Sequence, residues 1–94
     1  MPTYKLAYIR EQRQDMIIFP LGPNFGQMAA SVQNEELSSL GVRANAAGLQ
    51  GHAVAVWDAG AGRMGFVGPP QWHGFLSSIN FHFVMMNVNR VISW

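Results

Sequence analysis

The chain has no cysteine and unusually few charged residues. Its 94 residues include 6 Lys and Arg and 5 Asp and Glu, so charged residues make up 12% of the chain, about half of the usual fraction. Without cysteine no disulfide can stabilise the fold, and this absence fits a reducing compartment. A small domain has a large surface relative to its volume. Either Ser, Asn, Gln and Gly cover that surface, or a second subunit or another protein covers part of it, and we expect the second.

The near-neutral net charge argues against two classes of partner. The formal net charge is +1, whereas nucleic-acid-binding proteins carry basic patches. The stretch 64–89 contains no Asp, Glu, Lys or Arg, but prolines, asparagines and histidines interrupt it, so it does not resemble a membrane-spanning helix. The first residues lack the apolar core of a secretory signal. We expect a cytoplasmic protein with no nucleic-acid and no membrane partner.

The first half of the chain shows strand patterns followed by a helical pattern. Residues 4–9 alternate in hydrophobicity, and residues 16–19 form a short apolar run that ends at Pro20. Two strands joined by a polar turn are expected. Apolar residues then recur at helical spacing over 24–47. Because Asn34 and the two glutamates after it resemble a new helix start, this stretch is either one bent helix or two short ones.

The second half predicts another hairpin and an apolar helix. Residues 52–57 have the alternation of a strand, a glycine-rich turn follows, and residues 63–67 complete the hairpin. The segment 75–94 is apolar on two sides when it is drawn as a helix. Residues 79–86 also alternate like a strand, so helix and strand remain alternatives there.

Together these patterns predict a single α+β domain over 1–94 with the element order ββαββα. The two hairpins would form a four-stranded antiparallel sheet, with the helices packed on one face. A helix that is apolar on two sides needs a second cover besides its own sheet, so we expect a homodimer through the C-terminal segment. The expected interface residues are Phe81, Val84, Met85, Val88, Val91 and Trp94.

The loop 68–75 is the strongest candidate for a binding site. It joins a strand to a helix, where functional residues often lie, and it contains Trp72, His73 and Phe75. Trp72 can anchor a partner, and His73 is a weak candidate for acid–base catalysis because an imidazole exchanges protons near neutral pH. The structural alternative is that Trp72 plugs the core and His73 caps a helix.

Arg63 is the other candidate binding residue. It follows the turn 60–62, whose backbone amides can hold an anion, although an ordinary hairpin turn also explains these glycines. The three histidines, His52, His73 and His82, lack the spacing of metal ligands. The pattern around His82 predicts only that it lies on the flank of a helix.

The sequence therefore favours a non-enzymatic interaction protein without metal or cofactor. No nucleophile motif is present. The alternative is a small-ligand-binding domain, or a cofactor-independent enzyme, with a pocket near Trp72 and His73.

Overall fold

The computed structural model describes residues 3–11 and 14–93, which form a sheet between helices. The five strands are β1 (Thr3–Glu11), β2 (Gln14–Leu21), β3 (His52–Gly60), β4 (Arg63–Val67) and β5 (Arg90–Ser93). The three α-helices are α1 (Ala30–Ala46), α2 (His73–Ser78) and α3 (Phe81–Met86), and short 3₁₀ helices cover Pro23–Gln27 and Pro70–Trp72. The expected α+β class is confirmed.

The sheet has five strands and is mixed, in contrast to the predicted four-stranded antiparallel sheet. The strand order is β4-β3-β2-β1-β5. Both predicted hairpins form, since β1 pairs antiparallel with β2 and β3 pairs antiparallel with β4. The hairpins join through β2 and β3, which are parallel. The helix α1 makes this pairing possible. It returns the chain to the end of the sheet at which β2 began, so β3 runs in the same direction as β2.

The sheet buries side chains on both faces, so the prediction of helices on one face is wrong. Ile17 and Phe19 of β2 pack with Leu40 and Ala44 of α1. On the opposite face, the neighbouring β2 residues Met16 and Ile18 pack in a second cluster. The other buried members of this second cluster are Ala7, Val54, Val56, Trp72, Leu76 and Val84. Side chains of a strand alternate between faces, so a strand that is buried at four consecutive positions needs a cover on each side.

One α-helix and one short 3₁₀ helix occupy the stretch for which one bent helix or two short ones were predicted. The 3₁₀ helix Pro23–Gln27 ends before Ala30–Ala46 begins. Asn34 lies inside α1, and no new helix starts there. Within α1 only Leu40 and Ala44 are buried, so most of the helix surface faces solvent.

The C-terminal segment is divided among two short helices and a strand, where one helix was predicted. Residues 81–86 are helical, which decides between the two alternatives for this stretch. Ile79 is extended and ends α2. Asn80 then starts α3, because its Oδ1 accepts the backbone N–H of Phe83 at 2.8 Å. Such a cap gives the first turn of a helix a partner that the backbone cannot supply.

The last strand, β5, was not predicted, and it extends the sheet beyond β1. It pairs antiparallel with β1, with Val91 opposite Lys5. Just before β5, the side chain of Asn89 bonds the backbone of Tyr8 twice: Tyr8 N–H donates to Oδ1 at 2.8 Å, and Nδ2 donates to the Tyr8 carbonyl at 3.1 Å. These two bonds fix Asn89 against β1. The chain that follows α3 therefore continues along the edge of the sheet as β5.

Trp57 of β3 lies half-buried beside glycines from two elements. A Cβ atom on Gly65 of β4, or on Gly26 of the first 3₁₀ helix, would collide with the indole. The indole also contacts Phe25, with ring centroids 5.4 Å apart. The missing side chains at both glycines therefore allow β4 and the 3₁₀ helix to approach the ring.

We expect Gly65→Ala to lower the free energy of unfolding by about 1–3 kcal/mol, the usual cost of overpacking. The indole has little room to move away from the new methyl group, because Gly26 and Phe25 lie against it. Urea denaturation of the purified variants measures the change.

The matched control is Gly74→Ala in α2. A Cβ atom there meets nothing within 4 Å, and alanine is favoured over glycine in helices by up to about 1 kcal/mol. This variant should be as stable as the wild type or slightly more stable. Equal stability of the Gly65→Ala protein and the wild type would contradict the close packing around Trp57.

Candidate functional site

Trp72, the central residue of the predicted loop site, lies in the core. Its side chain is 2% exposed and packs with Leu76 and Val84. The indole Nε1 is buried and has no hydrogen-bond acceptor among the described residues. This side chain therefore joins the loop to the core and presents no surface to a ligand.

His73 and Phe75 lie at the surface next to Trp72. His73 is exposed, and its Nε2 lies 3.1 Å from the carbonyl oxygen of Gly68. Its ring meets the ring of Phe66 edge-on, with centroids 5.3 Å apart. Phe75 is half-buried and contacts Phe83 of α3, with centroids 6.3 Å apart. The contacts of His73 hold the loop against β4, and no acidic or nucleophilic side chain is among them.

Arg63 belongs to a different part of the molecule from the loop. It begins β4, whereas the loop leaves from the other end of that strand. Arg63 lines a groove of about 390 Å³ between the β3–β4 turn and α3, which we call the hairpin groove. Its lining residues are Asp58, Gly60, Ala61, Gly62, Arg63, Asn80, Phe81, His82 and Met85.

The hairpin groove brings together residues that the sequence did not connect. Asp58 and Arg63 come from one hairpin, and His82 comes from a helix that begins well after it in the chain. Asp58 Oδ1 accepts the N–H of Gly60 at 2.9 Å. The sequence predicted that His82 lies on a helix. It contained no motif that predicts a position for His82 near Asp58.

A second groove of about 390 Å³ lies between α1 and the strands β3 and β4, and we call it the helix groove. Ala53 and Val67 line it from the strands, and Asn34, Ser38 and Asn45 line it from the helix. None of its lining residues is Asp, Glu, Lys or Arg. It offers amide and hydroxyl groups and the imidazole of His52 to a ligand, but no carboxylate, ammonium or guanidinium group.

The predicted interface residues do not share one surface. Val84 is completely buried in the core, and Phe81 and Val88 are half-buried. Met85 and Val91 are exposed. Trp94 lies outside the described residues.

Two exposed apolar side chains of α3 were missing from the prediction. Met86 is 72% exposed and Phe83 is 37% exposed. The adjacent pair Met85 and Met86 was visible in the sequence. The helical pattern alone could not show that Val84 faces the core and that Met86 faces solvent.

The described part of the chain offers no candidate for a metal site or a membrane-spanning helix. Within residues 3–11 and 14–93, no three His, Asp or Glu residues are grouped as metal ligands would be. Nor does any helix in these ranges have the length and apolar character needed to cross a membrane. Comparison with models of protein families, with curated proteins and with solved structures found no match in any of the three.

If Trp72 has a packing role only, Trp72→Phe should cost less than about 2 kcal/mol of unfolding free energy. Phenylalanine keeps most of the ring and removes a buried N–H that has no acceptor within residues 3–11 and 14–93. An unpaired buried donor is itself unfavourable by about 1–3 kcal/mol. Trp72→Ala should cost about 3–5 kcal/mol because it leaves a cavity. Urea denaturation compares the two, and equal costs would mean that the indole N–H stabilises the fold.

Proposed function

We propose that the protein is a non-enzymatic assembly module that forms a homodimer through its α3 side. The observation that carries this proposal is a set of three exposed apolar side chains, Phe83, Met86 and Val91, which we call the apolar surface. These side chains are 37%, 72% and 59% exposed. Large apolar side chains grouped on one side of a protein mark interaction surfaces.

The three residues lie on the same side of the sheet. Val91 pairs with Lys5, and strand alternation puts Lys5 and Ala7 on one face. Ala7 is in the core cluster that contains Val84 of α3. Val91 therefore points to the side on which α3 carries Phe83 and Met86.

The charge distribution favours a second copy of the same chain as the partner. Residues 64–89 contain no Asp, Glu, Lys or Arg, so two copies can bring α2 and α3 together without like-charge repulsion. A strongly charged partner would find no opposite charge on α2 or α3, although Lys5 lies beside Val91. Interfaces between identical subunits are apolar at their centre, as this surface is.

The size of the molecule is compatible with such an interface. A standard interface buries about 800 Å² on each partner, roughly one seventh of the 5733 Å² surface of this chain. The position of α3 is also well defined, because Val84 is fully buried beneath it. The apolar surface is therefore held in place before a partner arrives, which reduces the ordering cost of binding.

The proposal predicts a dimer in sedimentation velocity at micromolar concentration. Met86→Lys should raise the dissociation constant at least about tenfold, because a lysine at the centre of a two-fold interface meets the same charge on its partner. Met86 is exposed in the single chain, so the substitution should leave the fold intact.

The matched control is Val42→Lys on α1. Val42 is 65% exposed, and its helix packs on the opposite face of the sheet. This variant should dimerise like the wild type. A monomeric wild type, or an equal loss of dimer in both variants, would contradict the proposal.

A ligand-binding or enzymatic role near Trp72 and His73 has less support. Trp72 is buried, and His73 is engaged with Gly68 and Phe66. The hairpin groove and the helix groove are lined by other residues.

A further inference from the structure

The hairpin groove contains groups of opposite charge that do not pair with each other. Asp58 and Arg63 both line it. Within the described ranges, the side chain of Asp58 bonds only the N–H of Gly60, and the side chains of Arg63 and His82 form no hydrogen bond or ion pair. One carboxylate oxygen and a whole guanidinium are therefore available to a ligand. Hydrogen bonds to ionised groups are about twice as strong as those between neutral groups.

The turn between β3 and β4 determines where the two charges lie. Its three central residues, Gly60, Ala61 and Gly62, all have positive φ, at 86°, 54° and 75°. The N–H of Gly60 donates to Asp58 Oδ1 and fixes the start of the turn. Gly60 also pairs with Arg63 across the hairpin, which closes the turn. Both charged residues are thus attached to a defined backbone.

The opposite wall of the groove contains apolar side chains and is equally well supported. Phe81 and Met85 of α3 are its apolar members, and Asn80 and His82 line the same side. Asn80 caps this helix through its bond to Phe83, and Val84 anchors the helix in the core. A ligand with an apolar group can therefore place it against a preformed surface.

We propose that the hairpin groove binds a free α-amino acid with an apolar side chain. Its carboxylate binds the guanidinium of Arg63, its ammonium group binds the free oxygen of Asp58, and its side chain packs on Phe81 and Met85. A zwitterion matches both charges at once. A phosphate dianion would be repelled by Asp58. The groove volume of about 390 Å³ lies in the range of small-ligand sites.

The test is a titration of the full ¹⁵N-labelled chain with L-phenylalanine, followed by amide chemical shifts. We expect saturable shifts at millimolar ligand that centre on residues 58–63 and 80–85. N-acetyl-L-phenylalanine lacks the ammonium charge, L-phenylalaninamide lacks the carboxylate, and glycine lacks the apolar side chain. Each should bind at least about tenfold more weakly, because each loses one of the three contacts.

Two variants identify the groups that bind. Arg63→Gln and Asp58→Asn should each weaken L-phenylalanine binding by about tenfold or more. The amide introduced by Asp58→Asn keeps an oxygen that can accept the Gly60 N–H, so this substitution removes the charge with little change to the turn. Arg10→Gln is the matched control, because Arg10 is exposed on β1 and does not line the groove. Its affinity should equal that of the wild type.

Three outcomes would overturn the proposal. These are the absence of saturable shifts in the groove, equal binding of L-phenylalanine and its N-acetyl derivative, and an equal loss of affinity in Arg10→Gln and Arg63→Gln. The proposal is independent of dimer formation. Met86 does not line the groove, so the Met86→Lys protein should bind L-phenylalanine as the wild type does.

Discussion

Burial of β2 on both faces is the constraint on which the rest of the structure depends. Met16 and Ile18 point to one side and Ile17 and Phe19 to the other, and all four are inaccessible to solvent. Each face therefore needs other residues packed against it. A domain of this size has few residues outside the sheet to cover two faces. On one side α1 supplies Leu40 and Ala44. On the other side the segment from the second 3₁₀ helix through α3 supplies Trp72, Leu76 and Val84.

Because these covers are thin, grooves and apolar side chains remain exposed around them. The helix α3 is only six residues long, and its single fully buried residue, Val84, holds it to the sheet. The residues around Val84 are then shared between two surfaces. Phe81, His82 and Met85 line the hairpin groove, while Phe83 and Met86 contribute to the apolar surface. One short helix thus supports both the proposed dimer interface and the proposed amino-acid site, on different sides.

Much of the candidate site could not be predicted, because contacts between residues far apart in the chain form it. Arg63 and the turn before it were recognised from the sequence as a possible anion site, because glycines and an arginine are adjacent there. His82 and Met85 face that turn only because α3 folds back across the sheet, and no local pattern encodes that contact. Trp72 shows a second limit, because the sequence left two roles open for it, a binding anchor and a core residue. Its residue type suggests a binding anchor, but burial decides between an anchor and a core residue, and burial depends on the whole fold.

The sequence by itself determined the two hairpins, the α+β class and the shortage of surface charge, because alternation, turn residues and composition are local properties. Only the tertiary structure decided the parallel pairing of β2 with β3, the cover on both faces and the addition of β5 to the sheet. In the last segment the sequence contained a strand pattern beside the favoured helix pattern, and contacts between residues far apart in the chain decided where each element formed. Asn89 bonds the backbone of Tyr8, and such long-range bonds form only when the sheet has placed their partners side by side.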